Sequence, residues 1–145
     1  MKNVSLIIIF CFANFFCFAS NTNDDIKFPD SLKIIVNEMA HSGMYELGLV
    51  GIAGSPSQQA TRLQKIKKMA SVSELFALTE NASPIVRLYS FIALLDRHEN
   101  IPSETLKNLE NDKAIVVSIT GCIASEKSVG SIVREIITKR NLNKI

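Results

Sequence analysis

Asn81-Ala82-Ser83-Pro84-Ile85-Val86-Arg87-Leu88-Tyr89-Ser90-Phe91-Ile92-Ala93-Leu94-Leu95-Asp96-Arg97 is the stretch on which the fold of this chain turns. Pro84 after Ser83 is a helix start, because the first helical position has no intrahelical use for the N–H that proline lacks. Ile85, Leu88, Phe91, Ile92 and Leu95 then recur at helical spacing, and Val86, Tyr89 and Ala93 widen the apolar face. Only Arg87, Ser90, Asp96 and Arg97 interrupt it. A helix apolar around most of its girth must be covered on more than one side. The segment is therefore predicted to be a helix from Pro84 to about Arg97, at the centre of a layered domain.

Further helices are predicted on both flanks. Upstream, Ser31 caps a helix over about Leu32 to Ser42, and Met44 to Ala53, broken by Gly48 and Gly51 and followed by Gly54, reads as a short one. Ser55-Pro56-Ser57-Gln58 opens a helix from Pro56 to about Ala70, with Ala60, Leu63, Ile66 and Ala70 on its apolar stripe. Its basic stripe, Arg62, Lys65 and Lys68, is either a solvated outer face or a weak partner-binding surface. Ser71 or Ser73 caps the next helix, around Leu75, Phe76 and Leu78. Downstream, Ile101-Pro102-Ser103 leads into a helix over about Glu104 to Glu110, and Ser128 or Val129 begins the last one. Lys139 and Arg140 near its end complement the helix dipole. Ile115 to Thr120 is β-branched everywhere except Ser118 and suits an extended segment as well as a helix. The helical neighbours favour helix, an expectation that covers 114–124 as a whole.

Asn81-x-Ser83-Pro84-x-Val86-Arg87-x-x-Ser90-x-x-Ala93-Leu94 resembles the second helix of a HEAT-type, armadillo-like repeat. One period downstream is a degenerate echo, with Asn81 falling on Asp112, Val86 on Val117, Ser90 on Gly121 and Ala93 on Ala124, while Ile115 and Ser118 replace Pro84 and Arg87. The resemblance implies an all-α fold, a short α-α superhelix of HEAT-like helix pairs over 31–145. It also implies that Asn81, Pro84, Val86, Arg87, Ser90, Ala93 and Leu94 are structural, with Arg87 bonding an acidic side chain of an adjoining repeat.

The N-terminus has the layout of an export signal: Lys2, then an apolar run from Val4 to Ala19. Cys17-Phe18-Ala19 suits a signal peptidase, so the expected organisation is a signal peptide at 1–19, a polar leader at 20–30 and the domain behind it. The run is short for a bilayer span of roughly 20 residues. No stable membrane anchor is expected after cleavage, and the chain is expected to be secreted or periplasmic. Formal net charge is +2, to which the signal contributes Lys2. Such a balance argues against nucleic acid as a partner. Of the three cysteines, Cys11 and Cys17 fall within the signal. Cys122 has no intrachain partner left, and its apolar neighbours predict burial.

His41 and His98 are the two histidines, and neither has a second ligand at metal-binding spacing. Gly48-x-x-Gly51-x-x-Gly54 has the wrong spacing for a nucleotide loop. No catalytic, metal or cofactor-binding residue is therefore expected. The expected function is non-catalytic: an exported repeat module holding another protein or peptide on its solenoid surface. The alternatives are a small hydrolase or thiol enzyme using Cys122 or a histidine, and a structural subunit of an envelope assembly.

Overall fold

A computed structural model describes residues 27–51 and 54–142. The signal peptide and most of the leader expected at the N-terminus lie outside the described residues. The elements run α1 (Asp30–Ser42), β1 (Met44–Val50), β2 (Ser55–Pro56), α2 (Gln58–Met69), α3 (Val72–Leu78), α4 (Pro84–Asp96), α5 (Ser103–Glu110), β3 (Ile115–Gly121), β4 (Ile123–Ser128) and α6 (Val129–Leu142). Among the described residues the strands form one sheet in the order β2-β1-β3-β4, with β1 parallel to β3 and the outer pairs antiparallel.

This overturns the expected all-α superhelix: the domain is mixed α/β, and the HEAT-type resemblance does not describe its architecture. The two segments responsible are the ones with the weakest helical pattern. Met44 to Val50 is a strand, not a short helix, and Ile115 to Gly121 is its parallel neighbour, not a repeat helix. Branched Cβ atoms at 115, 116, 117, 119 and 120 crowd a helix backbone but pack well on a pleated surface. Thr120 pairs with Ile123, which leaves Gly121-Cys122 as a two-residue hairpin loop. Gly121 takes φ 59°, the conformation such a turn asks of its first central residue. At this tip Cys122 is exposed, against the expectation that it is buried.

Along β3, Val116 and Ser118 are buried while Ile115 and Val117 are exposed, so one face meets the core and the other is open. The core face receives α2 over β1, α4 over β3 and α6 over β4. At the centre, α4 packs against α1, α2, α3, α6 and β3, and every residue from Ile85 to Leu94 except Arg87 is buried. Its N-terminus is set by Pro84, and its C-terminus by Arg97, whose guanidinium donates to the Ala70 carbonyl (2.7 Å).

Side-chain caps set the starts of α2 and α3, whereas α1 begins at Asp30 behind Pro29, ahead of the expected Ser31 cap, and α5 at Ser103 behind Pro102, neither with a side-chain cap bond. Helix α2 begins two residues later than Ser55-Pro56 predicts, because those two residues pair with β1; Ser57 becomes the cap, accepting from the Ala60 N–H (3.1 Å). Helix α3 carries a full capping box between Ser71 and Glu74. Helix α6 starts against α5 so closely that a Cβ on Gly130 would collide with the Glu110 carbonyl. The Gly130 N–H donates to the Asp112 carbonyl there (2.9 Å).

Candidate functional site

The edge of β1 that faces away from β3 is longer than the two residues of β2 can pair. Side chains of α2 and α4 and the Ser57 N–H take others of its backbone groups. Gln59 Nε2 donates to the Met44 carbonyl (3.0 Å), and the Ser57 N–H donates to the Gly48 carbonyl (3.0 Å). Between them the Tyr89 hydroxyl accepts from the Glu46 N–H (2.8 Å) and donates to the Glu46 carbonyl (2.7 Å). Burial raises the Tyr89 phenol well above the ordinary tyrosine range, and the bond to the Glu46 carbonyl needs that proton. Alternation along β1 then turns Tyr45 inward beside Ser118 of β3. Its ring lies 5.8 Å from that of Tyr89, tilted by 48°.

Tyr45, with Ile136 and Lys139, is shared by two hollows between the sheet and its helices. The larger, about 430 Å³, is walled by Ala60 and Leu63 of α2, Ile92 of α4 and Ile136 of α6, with Gly48 on its strand side and Gln64, Asp96, Lys139 and Arg140 among its polar residues. The smaller, about 200 Å³, lies between β3, β4 and α6 and includes Ser118, Lys127 and Glu135. Burial, with a lesser contribution from the Glu135 carboxylate, pushes the Tyr45 phenol up to about 12.

The charged groups beside these hollows form two clusters. Asp96 receives Lys67 Nζ on one carboxylate oxygen (2.9 Å) and Arg140 on the other. Arg140 also donates to the Leu95 carbonyl (3.0 Å), which anchors the last turn of α6 to the end of α4. Glu135 is shared between Lys139 (2.8 Å) and Lys127 (3.0 Å), and these bonds hold its carboxyl below the usual glutamate range. Two carboxylates thus serve four cations. Among the described residues the surplus is positive at both places.

The residues singled out from the sequence lie elsewhere. Asn81 Oδ1 accepts from the Ser83 N–H (2.9 Å), a local turn bond ahead of Pro84. Arg87 joins Asp112 (2.8 Å) and donates to the carbonyls of Asn81 (2.8 Å) and Ala82 (2.9 Å), tying the start of α4 to the end of α5. The acidic partner is present without a repeat to supply it. Val86, Ser90, Ala93 and Leu94 are buried in α4, where the Ser90 hydroxyl has no partner among the described residues.

Arg62 bonds Glu38 (3.2 Å), Gln59 and Gln58, whereas Lys65 and Lys68 are exposed. The basic stripe is therefore split between a structural arginine and two solvated lysines. His41 and His98 are exposed, and among the described residues no three His, Cys, Asp or Glu side chains gather as a metal group would require.

Sequence reasoning missed Tyr45, Asp96, Glu135 and Lys139 with Arg140 as members of one site. Tyr45 stood in a segment read as helix, and the two cations had a sufficient explanation in the helix dipole. The local signal in Met44 to Val50 was slight, since Tyr45 and Val50 are its β-formers and Glu46 and Gly48 are not. The chain matches no protein-family model, no curated protein and no solved structure, so none of these comparisons supports the HEAT-type resemblance.

Proposed function

We propose that this chain is an exported, non-catalytic binding protein that holds a small ligand in the hollow between β1 and helices α2, α4 and α6. The supporting observation is the hollow itself: about 430 Å³, walled by Ala60, Leu63, Ile92 and Ile136 and bounded by a tyrosine whose neighbour is fixed to the sheet backbone. Small-molecule sites are concave, mostly apolar and of about 300–1,000 Å³, with a few polar groups that orient the guest. Here those groups are Gln64, the Tyr45 phenol and the charged side chains of Asp96, Lys139 and Arg140. A protein or peptide partner loses the solenoid surface that motivated it.

Methyl-labelled NMR tests the proposal directly. Titration with a panel of small apolar compounds is expected to shift the methyl signals of Leu63, Ile92 and Ile136 together and saturably. Ala60→Phe, which puts a ring into the hollow, should abolish the response while leaving the remaining spectrum folded. Shifts scattered over the surface, or a response that survives in Ala60→Phe, would remove the hollow as the site.

A further inference from the structure

We infer that the ligand of this hollow is a linear aliphatic carboxylate of medium chain length, an inference that rests on the binding function proposed above. The walls decide the body of the guest. Leu63, Ile92 and Ile136 offer hydrocarbon and no hydrogen-bonding groups, and the uncharged polar side chains on the lining are Gln64 and the Tyr45 phenol. A peptide laid there would bury N–H and C=O groups without partners, at about 1–3 kcal/mol each. A hydrocarbon chain has nothing to leave unpaired. The size agrees: at roughly 30 Å³ for each water-sized group, the space limits a chain to roughly fourteen such groups, and a chain of roughly eight to ten carbons would fit with its head at the rim.

The rim decides the head. Lys139 and Arg140 are consecutive in the last turn of α6 and both reach the hollow. Each is bonded to a carboxylate that a second cation already serves, Arg140 to Asp96 with Lys67, and Lys139 to Glu135 with Lys127. Among the described residues, one positive charge in each cluster is left without a counter-charge. The end of α6 opposes an anion with roughly half an elementary charge, less than this surplus. Arginine carries five N–H donors, and among the described residues the bonds to Leu95 and Asp96 leave others for an incoming carboxylate. A cationic head would meet like charges at the same place. A neutral head would gain nothing from them.

Calorimetric titration of the full chain with three probes of one chain length, octanoate, 1-octanol and octylammonium, tests the inference. Octanoate is expected to bind about tenfold more tightly than 1-octanol, the equivalent of one charge-assisted hydrogen bond, with octylammonium weakest. Lys139→Gln, a change at a mostly exposed side chain, should remove several-fold of the octanoate affinity and leave 1-octanol unchanged. Arg140→Gln should do the same, and Arg140→Lys should restore part of the loss. Equal saturable binding of octanoate and 1-octanol would overturn the carboxylate assignment and leave the binding function standing. Preference for octylammonium, or octanoate affinity indifferent to both Gln substitutions, would also overturn it. Heat from none of the three probes would overturn both.

Discussion

The phenol of Tyr89 fills a place in the sheet that a longer β2 would otherwise take. Its oxygen both accepts from and donates to the Glu46 backbone, so one side chain satisfies two ladder positions that would be costly to bury unpaired. Tyr89→Phe keeps the ring and removes the oxygen. It is expected to destabilise the domain by about 1–3 kcal/mol, read from a denaturant midpoint, and to speed amide exchange at Glu46. A loss of a few tenths of a kcal/mol with Glu46 still protected would show that the bond contributes little. From the sequence Tyr89 was legible as a buried residue, because its spacing places it on the widened apolar face of α4. Its partner was not: nothing in the local pattern of residues 84–97 says that a strand from residues 44–50 passes beside it. Arg87 is the contrary case, since a resemblance that misdescribes the fold still implies an acidic partner for it, and Asp112 is there.

At the scale of elements, the six helices were legible from periodicity, and the caps agreed only at some of them, since α1 starts at Asp30 ahead of the expected Ser31 cap and α2 is capped by Ser57 instead of Ser55. Ser71 with Glu74 and Ser83 with Pro84 are examples where the local chemistry suffices to place a helix start. The strands were not legible in the same way. Ile115 to Thr120 carried the right residue types, but a strand is stabilised by its neighbours, and the parallel neighbour lies far away in sequence. The missed local signal was Gly121-Cys122, a glycine-first pair directly after a run rich in β-formers. The candidate site inherits this blindness, since Tyr45 enters it only once β1 is a strand. Gly121→Ala puts a side chain on a residue at φ 59° and is expected to cost about 1–2 kcal/mol. Thermal unfolding of that variant checks it, and an unchanged melting temperature would mean that the hairpin relaxes into another turn.

For the whole molecule, the helices lie on one face of the sheet, and the space they leave between α2 and α6 is the hollow proposed to bind. Both tyrosines of the chain border or brace that space, and in both the phenol is held neutral by burial. A phenol raised in the folded state contributes stability that is complete below the unfolded value near pH 10 and is lost as pH rises toward the folded one. For Tyr45 the window runs from about 10 to about 12. Phenolate absorbance should therefore stay low through about pH 10 and rise together with loss of helical circular dichroism, not before it. Ionisation of either tyrosine near pH 10 with the helices intact would contradict the burial that the site depends on.

The parallel pairing of β1 with β3 also bears on how the chain is made. Met44 meets Val117, and Glu46 meets Ile119, so the first strand to leave the ribosome finds its partner only after some seventy further residues have been added. At roughly 5–20 residues per second that is a delay of several seconds or more. During it α1 to α5 can gather around α4, but Tyr45 has no sheet to sit in, and any nascent chain stopped before about residue 121 should carry helices without a binding hollow.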